Sequence, residues 1–502
     1  MDFSVSAPYT STTVRSAPDV PSHMKILMLG WEYPPHIAGG LGTACQGLTG
    51  ALSQRGVPIH FVVPQLFGDE QVTHMVLTEP GCTGSPIGDF KLGFTSGQMV
   101  DSAGSFAEDE DRGSGTTTMT RIPAFLGPYW SSRRFREEVV QFAGRVGIQP
   151  RGTSFPLSVQ QALLDGEVYG VAIESDALHA VSSEAGDGEQ KLYTSGDGIF
   201  GEVERFTSQV LSNLSGAEYD IIHAHDWMTF PAGVALAQLT GKPLVVHVHS
   251  LEQDRRGLFV DRNIEAIEKL GLDTASRIIA VSHYTRRAIE RFHKIPSKKI
   301  RVVHNGAYPR QAVQDYRIRR TWPKRVVLFV GRVTFQKGPD YFVEVATRVI
   351  PRLPDVLFVL GGTGDMLPRV KQRVDELGLK EHFLFPGFLS GEELEEMFSI
   401  ADVYVMPSVS EPFGITALEA ISFDTPVILS KQSGVSEVLG SALKVDFWDL
   451  ERMANMIVEV LSNSELRQQL VNTARDEVKH LHWDAAAAKT IEVYEEMVGL
   501  GR

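Results

Sequence analysis

From Met24 onward, short and nearly continuous apolar runs alternate with stretches in which apolar residues recur at helical spacing. Strands buried on both faces lose the in-out alternation, so this pattern predicts parallel sheets covered by helices. A first set of runs comprises "KILMLGW", "PIHFVVP", "YDIIHAHD", "PLVVHVHS", "RIIAVSH" and "KIRVVHNG". A second set follows the polar, basic stretch "YPRQAVQDYRIRRTWPK" and comprises "RVVLFVG", "VLFVLGG", "HFLFPGF", "DVYVMPS", "PVILS" and "ALKVD". The economical arrangement is α/β, with two Rossmann-like doubly wound domains. Residues 1–23 read as a disordered tail, 24–310 as the first domain and 311–480 as the second. After Val445 the pattern turns helical, and residues 481–502 form a last helix, of low hydrophobicity, that packs along a surface and back across the domains. Between about residues 65 and 200 the periodicity dissolves into Gly, Ser, Thr and acidic residues, as expected of a partly flexible insertion within the first domain. No repeat of solenoid length is present.

Composition narrows the class. The 502 residues are 43% apolar and 22% charged, ordinary for a globular protein with sizeable cores. A formal charge of −14 argues against unspecific nucleic-acid binding. Two cysteines, Cys45 and Cys82, make no disulfide framework and suit a reducing compartment. No apolar run approaches the ~18 residues of a membrane span, and the first 23 residues lack the apolar core of a signal peptide. A cytoplasmic location follows as the expectation.

In open α/β sheets ligands bind beyond the carboxyl ends of the strands, and the unusual residues of this chain concentrate there. After the first run comes "GGLG", placing Gly39, Gly40 and Gly42 at a helix start where backbone amides can approach a phosphate. The same glycines also suit a purely steric turn. "HAHDWMT" places His223, His225 and Asp226 at the next strand end, where His225 and Asp226 either meet a ligand or hold a loop as a hydrogen-bonded pair. "HVHS" puts His247 and His249 on one side of the following strand, with His249 nearest solvent. Four histidines so close invite a metal, but no carboxylate cluster supports one, and none is expected. In "VGRVTFQKG", Arg332 and Lys337 flank a strand end and helix start, an arrangement suited to adjacent phosphates or to two solvated loop charges. "LGGTGDM" either packs on a base or simply turns. In "SEPFGITALEA", Pro412 fits the first turn of a helix running through Ile415, Leu418 and Ile421. Glu411 then stands at its entrance, as ligand contact or cap. Glu419 borders the face that packs on the sheet, where an unpaired charge is expensive, so a partner such as a ribose diol is implied.

"GGLG", "HAHDW", "FVGRVTFQKG" and above all the E-x7-E element "SEPFGITALEA" resemble the retaining glycosyltransferases of family 4 and the related glycogen and starch synthases. The resemblance covers about residues 24 to 60 and 215 to 495. It implies the GT-B fold, two Rossmann-like domains facing a central cleft, the second binding the donor and the first the acceptor. It implies transfer of a hexose, most of all glucose, from a UDP-, ADP- or GDP-linked sugar to a carbohydrate acceptor hydroxyl, without cofactor or obligatory metal. Under it Arg332 and Lys337 neutralise the donor diphosphate, Glu411 contacts the sugar, Glu419 the ribose, and the amides of Gly414 and Ile415 a phosphate. Gly39, Gly40 and Gly42 close over the donor from the opposite domain. One departure stands out: where bacterial glycogen synthases follow "HDW" with a histidine, this chain has Met228. His249, at the end of the next strand, matches the histidine of other family 4 enzymes, with His225 and Asp226 as further candidates. The alternatives are a mannosyltransferase or a sucrose- or trehalose-type synthase, then a GT-B sugar-nucleotide epimerase or a non-catalytic binding protein. The sequence leaves open the base, the acceptor, the oligomeric state, and whether retention proceeds by same-face attack or by double displacement.

Overall fold

Each apolar run named above contains a strand. The computed structural model describes residues 24–35, 39–67, 70, 72–78, 198–307 and 325–499. The tail over 1–23, most of the interval from 65 to 200 and the basic connector over 308–324 lie outside these residues. The first sheet contains β1 (Ile26–Leu29), β2 (Ile59–Val62), β3 (Val76–Thr78), β4 (Ile221–His225), β5 (Leu244–Val248), β6 (Arg277–Ala280) and β7 (Ile300–Val302). The second contains β8 (Arg325–Val330), β9 (Val356–Gly361), β10 (Phe383–Gly387), β11 (Val403–Met406), β12 (Val427–Ser430) and β13 (Leu443–Val445). Their orders are β3-β2-β1-β4-β5-β6-β7 and β10-β9-β8-β11-β12-β13. All pairings between these strands are parallel. Both sheets are therefore doubly wound, and each reverses direction once, between β1 and β4 and between β8 and β11. The edge strand β3 was not anticipated, because its three residues are too short and too exposed to show an apolar run.

Each sheet carries an apolar cluster on both faces, as its continuous runs require. The last helix, Trp483–Gly499, packs back across the domains as its place in the sequence suggests, and its inner face joins one of these clusters. It leaves the second domain and packs against the helix Gly40–Gln54 of the first, burying Trp483, Ala486, Ala487, Ile491, Tyr494 and Met497. Its low hydrophobicity comes from the charged residues of its outer face, Asp484, Lys489 and Glu492, while Ala486 and Ala487 on the inner face let the two helices approach closely. Arg55 pins its start through two bonds to Asp484, of 2.6 and 2.7 Å, and Glu496 accepts from both Arg277 and Arg301.

At Gly47 an added Cβ would stand 2.1 Å from the Trp483 ring. Gly47→Ala is expected to lower stability by about 1–3 kcal/mol through overpacking, read as a depressed thermal midpoint. An unchanged midpoint would mean that the helix pair is not held in this packing.

Candidate active site

The two reversal points of strand order face each other. The segment after β1 carries Gly39 to Gly42 at a helix start and the end of β4 carries His225 and Asp226, while the turns after β8 and β11 carry Arg332 to Lys337 and Ser408 to Glu411. An alanine methyl at Gly39 would lie 3.6 Å from Nε of Arg332, so the glycine loop of one domain borders the cation of the other.

In the second domain a single-turn helix, Phe335–Lys337, follows β8, and the helix Pro339–Val349 starts directly behind it. Gly338 separates them at φ +67°, and a Cβ there would stand 2.2 Å from the carbonyl oxygen of Pro407. Only glycine lets the loop after β8 lie this close to the loop after β11. The Gln336 carbonyl accepts from the amide of Val409, tying the loops together. Lys337 Nζ consequently donates to Glu411 Oε2 at 2.6 Å, with Ser408 Oγ donating to the same oxygen at 3.2 Å. Glu411 is nearly buried, while Arg332 is exposed and makes no ion pair among the described residues.

The structure moves one boundary. The helix Ile415–Ser422 begins behind Gly414 at φ +107°, not at Pro412. Glu411 is accordingly no helix cap: it sits in an extended segment bridged to Ser433. Glu419 lies in this helix, half-buried, and burial pushes its carboxyl up to about 7. Tyr404 of β11 lies within electrostatic reach of both glutamates.

In the first domain, register pairs His225 with His247 across β4 and β5, and the period of two brings His223 and His249 to the same face. The four imidazoles stack, with neighbouring centroids 4.2 to 5.4 Å apart. His223 Nδ1 hydrogen-bonds the Tyr494 hydroxyl at 2.6 Å, and His225 Nδ1 hydrogen-bonds His249 Nε2 at 3.0 Å. Burial holds His223 and His249 down to about 3 and His225 and His247 well below the ordinary value, so all four rings are neutral near pH 7. The suggested His225–Asp226 pair does not form. Asp226, at φ +59°, instead accepts from the backbone amides of His249 at 2.7 Å and Ser250 at 3.3 Å, clamping the end of β5. Burial raises its carboxyl to about 7 against the opposing pull of Arg255 and those amides. Glu32, unnoticed in the sequence, accepts from the Gly42 amide at 2.9 Å. That bond uses one of the amides expected to face a phosphate and leaves those of Gly39 and Gly40.

Comparison with known proteins agrees with this architecture. The family model for group 1 glycosyl transferases matches residues 315–477, that for glycosyltransferase family 4 matches 175–310, and that for the starch synthase catalytic domain matches 25–99. An uncharacterized glycosyltransferase of Methanocaldococcus jannaschii is 32% identical over 314 residues, which cover 58% of this chain and 79% of that protein. The chain belongs to the family 4 glycosyltransferases. A D-inositol 3-phosphate glycosyltransferase of Paenarthrobacter aurescens is 29% identical over 59% of this chain and 77% of that one. A glycogen synthase of Mycobacterium tuberculosis is 28% identical over 55% and 68%. Among solved structures, Anabaena HepE in complex with UDP and glucose aligns over 95% of this chain and 100% of that one, at TM-score 0.60 and 15% identity, a likeness of fold.

This glycosyltransferase grips its Glu411 loop from the opposite domain. Ser410 Oγ donates to Asp254 Oδ1 at 2.5 Å and also hydrogen-bonds Tyr284 at 2.9 Å, while Ser282 Oγ donates to the Pro412 carbonyl at 2.6 Å. Asp254 itself is anchored by the Leu251 amide, at the start of the short helix Glu252–Arg256 just after His249. Sequence reasoning missed Asp254, Tyr284 and Ser282. Charged and hydroxyl residues on a loop and at a helix start look solvated until the partner domain is in place. The chemistry assembled is two cations, a buried carboxylate bound to one of them, a second carboxyl raised by burial to about 7, and a neutral imidazole pair. No helix among the described residues is long and apolar enough to cross a membrane.

Proposed function

We propose that this family 4 glycosyltransferase transfers glucose, with retention, from a nucleoside diphosphate glucose to a carbohydrate hydroxyl, with α-glucan elongation as the reaction. The observation that carries the reading is the 2.6 Å Lys337–Glu411 pair at one strand-order reversal, next to the exposed Arg332 and facing the Gly39 loop of the other domain. Lys337 and Arg332 neutralise the departing diphosphate, the charge that grows most in a cation-like transition state. Glu411 contacts the sugar beside its reacting carbon, and the amides of Gly414 and Ile415 face a phosphate. Glu419 takes the ribose hydroxyls. Gly39 and Gly40 meet the donor from across the cleft, with Gly42 fixing their loop through Glu32. Donor binding then exchanges the Lys337 ammonium between Glu411 and phosphate, so the ion pair pre-orients both groups.

His249 serves as a neutral hydrogen-bonding group to the sugar. An imidazole held near 3 is too weak a base to take the acceptor proton at pH 7. The proton therefore passes to an oxygen of the leaving diphosphate, which favours same-face attack over double displacement. His225 orients His249 through their shared hydrogen bond, and Asp226 positions its backbone. No cofactor or metal takes part in the transfer. Contact between the domains excludes water and limits hydrolysis of the donor.

A second reading, transfer to a small acceptor, is favoured by Met228 in place of a glycogen-synthase histidine and by similarity to the D-inositol 3-phosphate enzymes. Nucleotide release from UDP-glucose, ADP-glucose and GDP-mannose, each with and without glycogen, separates the readings. Release from a glucose donor that rises with glycogen is expected. Turnover of GDP-mannose alone would overturn glucose as the sugar, and a glucose donor indifferent to glycogen would overturn α-glucan elongation.

A further inference from the structure

We propose that Cys45, His225 and His249 form a binding site for one borderline-soft transition-metal ion of the zinc class. The ligand atoms of these three side chains all lie within 4.8 Å of one another. His225 Nδ1 and His249 Nε2 are 3.0 Å apart, near the about 3.3 Å that separates two nitrogens bonded tetrahedrally to an ion at about 2.0 Å. A thiol with two imidazoles is a donor set that zinc-class ions favour, and it leaves a fourth position for solvent.

Behind this set, His225 Nε2, His223 Nε2 and both ring nitrogens of His247 are buried without a hydrogen-bond partner among the described residues, so the stack holds ring nitrogens that packing does not use. Neutral imidazoles with unused lone pairs in an apolar layer are poor packing groups but good ligands. His223, His225 and His247 make a second converging set, but it lies deeper and contains no thiol. The outer set ends at half-buried His249, where an ion from solvent can enter.

Binding replaces the Cys45 S–H bond by a sulfur–metal bond and gives that proton to solvent. The hydrogen shared by His225 Nδ1 and His249 Nε2 shifts to the other nitrogen of the ring that carries it, so both facing nitrogens offer lone pairs and the imidazoles release no proton. An ion held there engages His249 and thereby withdraws it from the cleft. That consequence rests on the function proposed above; the site does not.

The test uses Co2+ alone, added to the full chain carrying Cys82→Ser, so that Cys45 is the only thiol. The expected result is one Co2+ per chain by equilibrium dialysis, with a thiolate-to-cobalt charge-transfer absorption and intense tetrahedral bands in the visible. Cys45→Ser in the same background abolishes the charge-transfer absorption and weakens binding at least about tenfold. His249→Gln, changed at the solvent end of the stack, weakens it comparably and guards against a folding defect at the buried thiol. The proposal is overturned if no Co2+ is retained, if it is retained without the thiolate absorption, or if both variants bind as tightly as the parent.

Discussion

Lys337→Ala is expected to lower kcat/KM by about 10²–10³-fold, the cost of removing one preorganised charge from a developing anion. The loss falls mainly on kcat, because the diphosphate carries most negative charge as the glycosidic bond breaks. The same substitution leaves Glu411 buried with only the Ser408 hydroxyl, so some stability is lost as well. Lys337→Met combined with Glu411→Gln separates the two effects. It removes both charges, restores the thermal midpoint toward wild type, and stays catalytically as deficient as Lys337→Ala. A double variant that regains activity along with stability would reduce the pair to a structural clip. Arg332→Ala, which breaks no ion pair among the described residues, gives a smaller kcat loss without a stability change. Steady-state kinetics with the active donor and thermal unfolding of the same samples provide both readouts.

Much of this site was legible before any coordinates, for a physical reason. Strands buried on both faces announce themselves as apolar runs, and ligand groups of a doubly wound sheet gather where those runs end. Arg332, Lys337 and Glu411 were singled out as candidates that way. What stayed hidden depends on relations between distant segments. The end of the Glu411 loop was misplaced because Pro412 is compatible with a first helical turn, and only the left-handed backbone at Gly414 shows that the helix starts later. The histidine stack needs the β4–β5 register, which no single strand encodes. The Asp254–Ser410 bond joins residues 156 apart in the chain. Glu32 went unnoticed because a loop acid looks solvated until the helix start whose Gly42 amide it accepts from is in place.

Glu419 carries the second large prediction, with a sign that separates a ligand contact from an awkwardly buried acid. Its carboxyl is raised from 4.5 to about 7 by burial alone, and no hydrogen-bond partner is present among the described residues. Between these values the folded protein holds a proton that the unfolded chain has lost. Stability is therefore greatest below pH 4.5, falls as pH rises toward 7 and levels off above it, by up to about 3 kcal/mol in all. A ribose diol donates hydrogen bonds and so favours the ionised form. Nucleotide affinity should then strengthen as pH rises from 5.5 to 8, by a limit of about tenfold per pH unit below 7. Glu419→Gln should flatten the stability profile and bind nucleotide about 10–100-fold more weakly at pH 8, the worth of hydrogen bonds to a charged acceptor. Titration calorimetry with UDP, ADP and GDP on both proteins measures this, and the phosphate's own ionisation cancels in the comparison. If wild type and Glu419→Gln show the same pH slope, or if affinity weakens as pH rises only in the wild type, Glu419 does not hold the ribose and its buried charge needs another partner.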